Sequence, residues 1–327
     1  MVTINDRPVI EAQELVKTYA GGIQAVRGVS FEVGAGEAFG LLGPNGAGKS
    51  TTIGMLNSTV KPTSGRAFLG GIDVDRDPIG TRAISSVVFQ DTVVDRPLTG
   101  RRNLEVHLRL WGVAASTGKA ALAELAKTVG IADILDRQVA TYSGGQRRRL
   151  EIVRALLSAP RVLFLDEPTV GLDTRIRHEL FDVIATLRER TGVTIIMTTH
   201  YLDEAERLCD RLAVIDRGSV VACDTPANLL ALVGEEVLEL RVNDAGKAAS
   251  AVLDAGIPAE DVLIVGETVT ISLRALSSNH ILGVLAAMEV AVRSATTRRP
   301  TLDDVYLRLT GDLLLASSDA GNREDRS

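Results

Sequence analysis

Nine consecutive residues have the types and spacing to hold a phosphate. Gly43-Pro44-Asn45-Gly46-Ala47-Gly48-Lys49-Ser50-Thr51 fits G-x-x-x-x-G-K-[ST]. Glycines let successive backbone N–H groups turn inward around an anion. The N-terminus of a following helix adds partial positive charge. Lys49 has the reach for β- and γ-phosphates, and the Ser50 hydroxyl is a Mg²⁺ ligand of the right hardness. The bland alternative is a glycine turn between a strand and a helix.

Two carboxylates form the second candidate group. Val162-Leu163-Phe164-Leu165-Asp166-Glu167 reads as a buried strand with Asp166 and Glu167 at its end. The C-terminal edge of a buried parallel strand is where phosphoryl-transfer chemistry needs them. Asp166 would hold Mg²⁺, directly or through water, and Glu167 would orient and deprotonate an attacking water. The alternative is a helix cap or a surface acidic pair. The third stretch is Tyr142-Ser143-Gly144-Gly145-Gln146, which opens a helix over residues 147–157. Its glycines allow close backbone approach, Ser143 offers a hydroxyl, and the helix start faces an anion. Arg147, Arg148 and Arg149 oppose the helix dipole in its first turn. They read as a solvated basic face with partners such as Arg147 with Glu151.

These groups need elements to position them. Ala38-Phe39-Gly40-Leu41-Leu42 is a buried strand feeding the phosphate loop, and Ser50 to Leu56 is a helix leaving it. Residues 9–19 and 25–33 are strands separated by Gly21-Gly22, and residues 66–69 and 72–74 form a hairpin around Gly70-Gly71. Residues 84–89 are another buried strand, ending at Gln90. From Thr99 to Leu135 the pattern turns helical, with Leu104, Leu108 and Trp111 on one stripe and Leu122, Leu125 and Val129 on another. Trp111 is expected in the core, and Arg101-Arg102 on a solvated surface. Residues 174–189 and 203–209 are helices, 193–198 a strand ending at His200, and 212–222 a hairpin. Apolar strands alternating with helices imply a parallel-sheet core. After Glu235 the order becomes β-α-β-β-α-β, the ferredoxin-like arrangement, closed by a helix that Thr301 caps with Asp303-Asp304 in its first turn.

Composition narrows the function classes. A chain of 327 residues predicts about two domains. A net charge of −6 argues against a general nucleic-acid binder. Cys209 and Cys223 lack metal or redox spacing and are expected as reduced core or near-core thiols. The first residues show no leader pattern. No apolar run approaches the ~18–20 residues that span a bilayer, so a membrane role would need a partner.

Taken in order, the phosphate loop, Gln90, Tyr142 to Gln146, Leu165-Asp166-Glu167-Pro168, Gly171-Leu172-Asp173 and His200 resemble the ATP-binding subunit of an ATP-binding cassette (ABC) transporter. The resemblance covers Val9 to about Ala231. It implies an α/β P-loop NTPase fold: a parallel-sheet core, an antiparallel β subdomain and a helical subdomain at about 97–157. It places the ATP-binding domain at 1–232; the residue pattern beyond it gives a small ferredoxin-like α+β domain at 235–312 and a disordered tail at 313–327.

The resemblance also implies roles. Tyr19 stacks on adenine, unless it packs under the sheet instead. Gly43 to Thr51 cradle phosphate. Gln90 contacts Mg²⁺ or the water and senses the γ-phosphate, which His200 also contacts. Ser143, Gly144, Gly145 and Gln146 close over the nucleotide of an opposite subunit, and Asp173 links the two sites. Where the family has Leu at the start of its signature, Tyr142 stands here and can fill the same packing role. Residues 297–306 resemble the daunorubicin-resistance branch, which serves two-protein exporters. The expected molecule is therefore a homodimeric ATPase at the cytoplasmic face of the membrane. It works with a separate integral membrane permease, met near residues 90–98, to export a drug, antibiotic, lipid or glycan. Rival readings are a soluble ABC ATPase acting on ribosomes or nucleic acid, and a nucleotide sensor without turnover.

Overall fold

The computed structural model describes residues 7–274 and 276–311. The expected disordered tail lies outside the described residues, as do most of those read above for a leader. The chain divides into two compact units between Val220 and Val221.

The first unit runs β1 (Ile10–Thr18), β2 (Gln24–Val33), β3 (Ala38–Leu42), α1 (Lys49–Leu56), β4 (Ser64–Leu69), β5 (Ile72–Asp73), α2 (Pro78–Ala83) and β6 (Ser85–Val88). It continues with α3 (Gly100–Leu110), α4 (Ala115–Thr128), α5 (Gly144–Leu156), β7 (Val162–Asp166), α6 (Thr174–Thr191), β8 (Thr194–Thr199), α7 (Leu202–Leu208), β9 (Arg211–Asp216) and β10 (Ser219–Asp224), the last spanning the division.

Two sheets organise this unit. One has the order β2-β1-β4-β5, antiparallel at each pair. The other has the order β10-β9-β3-β8-β7-β6. From β9 to β6 its neighbours are parallel. Every residue of β3 and β8 is buried. That is why these strands read as continuous apolar runs rather than alternations. The register sets Leu42 beside Thr199, and Thr198 beside Asp166. The C-terminal ends of β3, β8 and β7 are therefore neighbours, and the loops leaving them converge at one edge.

Helices α3, α4 and α5 are inserted between β6 and β7. Leu104 and Leu108 are buried as their spacing predicts. Trp111 is not: it caps the end of α3 and is 40 % exposed, its ring tilted against His107. The stripe runs out where the helix does. Cys209 is buried, but Cys223 is exposed, on the outward side of β10, where burial alternates.

The second unit begins with α8 (Pro226–Ala231). It then runs β11 (Val237–Val242), α9 (Ala245–Asp254), β12 (Val262–Val265), β13 (Thr268–Ser272), α10 (Ser278–Ala287), β14 (Val292–Arg298) and α11 (Leu302–Thr310). Its sheet order is β12-β13-β11-β14, antiparallel throughout. This is the ferredoxin-like topology expected of β-α-β-β-α-β. Leu238, Leu240 and Val242 of β11 pack with Ala248 and Val252 of α9 and with Ile281 and Leu285 of α10.

Candidate functional site

Gly48 shows why the phosphate loop has its sequence. Its φ is +100°, and a Cβ there would meet the Ala25 carbonyl oxygen at 2.4 Å. Only glycine relieves both constraints. At Gly43 a Cβ would meet the Ile215 carbonyl oxygen at 2.2 Å. The loop thus turns tightly into α1, with Lys49 as the helix's first residue.

Lys49 is 4 % exposed. Its Nζ donates to the carbonyls of Gly43 (2.8 Å) and Pro44 (3.0 Å) and lies 3.4 Å from Glu167 Oε1. Burial lowers the Lys49 pKa, and Glu167 counters this in part. His200 Nδ1 also stands 3.4 Å from Glu167 Oε1, without hydrogen-bond geometry. For Glu167, burial favours the neutral acid. His200 and the Lys49 ammonium beside it outweigh burial and hold the carboxyl below its usual range. Glu167 adopts φ +45°, a left-handed conformation that costs a non-glycine residue about 1–3 kcal/mol.

Ser50 Oγ donates to Asp166 Oδ1 at 2.9 Å, and Thr198 Oγ1 donates to the same oxygen at 2.6 Å. The Glu167 N–H in turn donates to Thr198 Oγ1 at 2.9 Å. Thr198 therefore holds the Asp166 carboxylate and the Glu167 backbone together. The sequence reading passed over it, although a threonine ending a buried apolar strand beside His200 is an available signal.

A cavity of about 460 Å³ opens over these groups. Asn45, Gly46, Gly48, Lys49, Ser50 and Thr51 line its floor; Tyr19, Ile23, Ala25, Gln90 and Glu167 line its walls. Tyr19 is 42 % exposed, with its hydroxyl 3.4 Å from Thr51 Oγ1, so it stands at the mouth rather than under the sheet. Ala47 is buried beneath the loop. Ser50 and Gln90 line the cavity, and Asp166 is bonded to Ser50, so hydroxyl, amide and carboxylate oxygens are available there. Such a hard oxygen set fits Mg²⁺, which keeps several waters and shares phosphate oxygens. No cluster of three or more His, Cys, Asp or Glu able to hold a metal occurs among the described residues.

The remaining predicted residues lie elsewhere. Ser143 caps α5 in a reciprocal pair with Gln146: the Gln146 N–H donates to Ser143 Oγ (3.3 Å), and Gln146 Oε1 accepts from the Ser143 N–H (2.9 Å). Ser143 and Gly144 are exposed, while Gly145 is buried against Ile176. Asp173 caps α6 through Ile176 N (3.0 Å). None of these five lines the cavity. Tyr142 fills a packing position: it is 3 % exposed, and its hydroxyl donates to the Ile134 carbonyl at 2.5 Å.

The three arginines do not form a solvated face. Arg148 is 6 % exposed and donates to the carbonyls of Phe89 (2.5 Å) and Gln90 (3.0 Å). Its ion pair is with Glu151 at 3.1 Å, three residues on. Glu151 accepts from Val93 N at 2.8 Å. Arg147 binds the Tyr142 carbonyl, and Arg149 the Val129 carbonyl and Glu179. A basic run reads as solvated because sequence gives no hint of carbonyls brought in from β6.

The ABC transporter profile matches residues 26–170. The daunorubicin/doxorubicin resistance ATP-binding protein DrrA of Streptomyces peucetius is 42 % identical over 309 residues, covering 92 % of each chain. The chain belongs to the ATP-binding subunits of ABC transporters. Among solved structures, cbiO1 of Clostridium perfringens, part of the ABC transporter complex cbiONQ, aligns with a TM-score of 0.65 at 27 % identity, over 70 % of this chain and 93 % of its own. A dimeric ATP-binding cassette in a post-hydrolysis state with ADP and Pi aligns at 0.59 and 25 % identity, over 66 % of this chain and 98 % of its own. This ABC subunit binds ATP, and it is the ATPase that powers an export system through a membrane permease. None of its described helices is long and apolar enough to cross a membrane.

Proposed function

We propose that two copies of the chain work head to tail, each sandwiching ATP between its own phosphate loop and the other copy's Ser143 to Gln146. One observation carries this: the cavity over Lys49 is walled by Tyr19, Gln90 and Glu167, yet Ser143, Gly144, Gly145, Gln146 and Asp173 of the same chain do not line it. Ser143 and Gly144 stand exposed at the start of α5, a helix start suited to an anion. That a similar cassette has been solved as a dimer bound to ADP and Pi supports a two-copy reading.

In this reading Tyr19 stacks on the base, and Gly43 to Thr51 wrap the phosphates. Ser50, Asp166 and Gln90 would hold Mg²⁺, which supplies charge neutralisation of the phosphate oxygens when bound. Glu167, held ionised by Lys49 and His200 with its backbone fixed by Thr198, accepts the proton of the attacking water. His200 and Lys49 orient the γ-phosphate end. Asp173 relays between the two sites. The permease meets the stretch around residues 90–98, where Phe89 and Val93 are exposed beside backbone that Arg148 and Glu151 hold fixed. The subunit works at the cytoplasmic face of the membrane, and its cargo is a drug or antibiotic of the class named for its resistance-conferring relative.

Mixed dimers test the arrangement. Lys49→Ala removes one copy's loop, and Ser143→Arg blocks the other copy's helix start. Each variant alone should be inactive. Mixing them creates one intact site per mixed dimer, so ATPase activity should return to about a quarter of the unaltered rate by random pairing. No recovery in dimers shown to contain both chains would refute the head-to-tail site.

A further inference from the structure

We propose that Glu204 is a positioning residue for ATP hydrolysis, its buried carboxyl tying the chain just after Glu167 to the chain just before His200. The proposal rests on the reading of Glu167 and His200 given above. Glu204 lies in the first turn of α7 and is 0 % exposed. Both carboxyl oxygens are sealed from solvent and have no partner in hydrogen-bond geometry. The Thr169 hydroxyl, two residues beyond Glu167, is likewise sealed and unpartnered. Thr169 and Thr199 are both 0 % exposed, and their hydroxyls are close enough to act on the carboxyl and lower its pKa. Thr199 immediately precedes His200, and its Oγ1 accepts from Tyr201 N at 2.8 Å, pinning that turn.

Orphaned polar atoms in one buried place are costly unless they satisfy each other. A protonated carboxyl can donate to one hydroxyl and accept from the other; an ionised one can only accept. Burial pushes the Glu204 carboxyl up to about 7, against the pull of the Thr199 and Thr169 hydroxyls. Asp203 on α7 adds to the rise, and Arg177 from α6 opposes it. Arg148 from α5 and the Cys209 thiol after α7 also feel its charge. The neutral acid joins the two loops. Ionisation removes the donor and leaves a buried charge, so the loops loosen as pH rises.

Steady-state ATP hydrolysis by the full chain tests this, from about pH 6 to about pH 9. The unaltered chain should lose kcat on an alkaline limb centred near 7, where the carboxyl ionises. Glu204→Gln keeps a donor and an acceptor without charge. It should hold kcat within about twofold at the acid end and abolish the limb. Glu204→Ala should lower kcat about tenfold with KM for ATP within about twofold. Glu167→Gln in the same series gauges the catalytic reading separately. A limb that survives in Glu204→Gln, or full kcat in Glu204→Ala, overturns the proposal. If the alanine variant does not fold, the glutamine profile decides.

Discussion

At the scale of single residues, the phosphate loop and the Asp166-Glu167 pair were legible because their chemistry demands particular types at particular spacings. Gly48 must be glycine where φ is +100°, and Lys49 must follow it to start α1 facing phosphate. What could not be read was support from outside the motifs. Thr198 ties the Asp166 carboxylate to the Glu167 backbone, and only its place two residues before His200 sets it apart from other strand threonines. For Glu167, the ionised form held by Lys49 and His200 is the form a general base requires. Glu167→Gln should bind ATP unchanged and lose turnover by about 10²–10⁴, the usual worth of such a base. Phosphate release and nucleotide binding, measured on the same preparation, check this. Unchanged turnover would move the base role to another group.

At the scale of elements, apolar runs disclosed the parallel strands and periodicity the helices, but partners distant in sequence stayed hidden. Arg148 on α5 is a case: its buried head holds the carbonyls of Phe89 and Gln90, almost sixty positions earlier. The segment from Thr297 to Tyr306 was read only as a likeness to one branch and as a capped helix. Its physical content is a clasp. Arg298 makes two bonds to Asp304, at 2.7 and 2.9 Å, and a third to Glu239 of β11 at 3.0 Å. Asp304 also accepts from Thr301 N at 2.7 Å, fastening the start of α11. Burial alone would raise the Asp304 pKa, but Arg298 and the Thr301 amide outweigh it and hold it low. A depressed carboxyl contributes stability that is present above its unfolded value, about 3.9, and lost as pH falls through the folded one. Asp304→Asn should destabilise α11 by about 1–3 kcal/mol at neutral pH. That gap should close as the medium is acidified below about pH 4. Hydrogen exchange over residues 298–311 of the full chain, corrected for intrinsic rates, reads it directly. A gap that persists unchanged in acid would mean the clasp is not ionic.

At the scale of the whole molecule, the open side of the cavity over Lys49 is the feature that a second surface would close. A cavity lined by Lys49, Ser50, Glu167 and Gln90 gathers charged and polar groups on one open side. In the head-to-tail arrangement proposed above, the exposed start of α5 is the complementary surface, and a second copy brings it without new machinery. Association then depends on the γ-phosphate, because only a triphosphate reaches both surfaces. Moving such a switch from 1:99 to 99:1 needs about 5.5 kcal/mol of differential binding, and two bridged nucleotides supplying charge-assisted bonds are of that order. The Glu167→Gln chain, which keeps ATP uncleaved, should therefore sediment as a dimer in ATP and as a monomer in ADP. Adding Lys49→Ala to it should restore the monomer in either nucleotide. High salt should weaken the ATP dimer, since much of its adhesion is between charges at a partly open interface. A Glu167→Gln chain that stays monomeric in saturating ATP, or dimerises equally in ADP, would separate nucleotide from assembly. The open cavity would then have to be closed by a different surface.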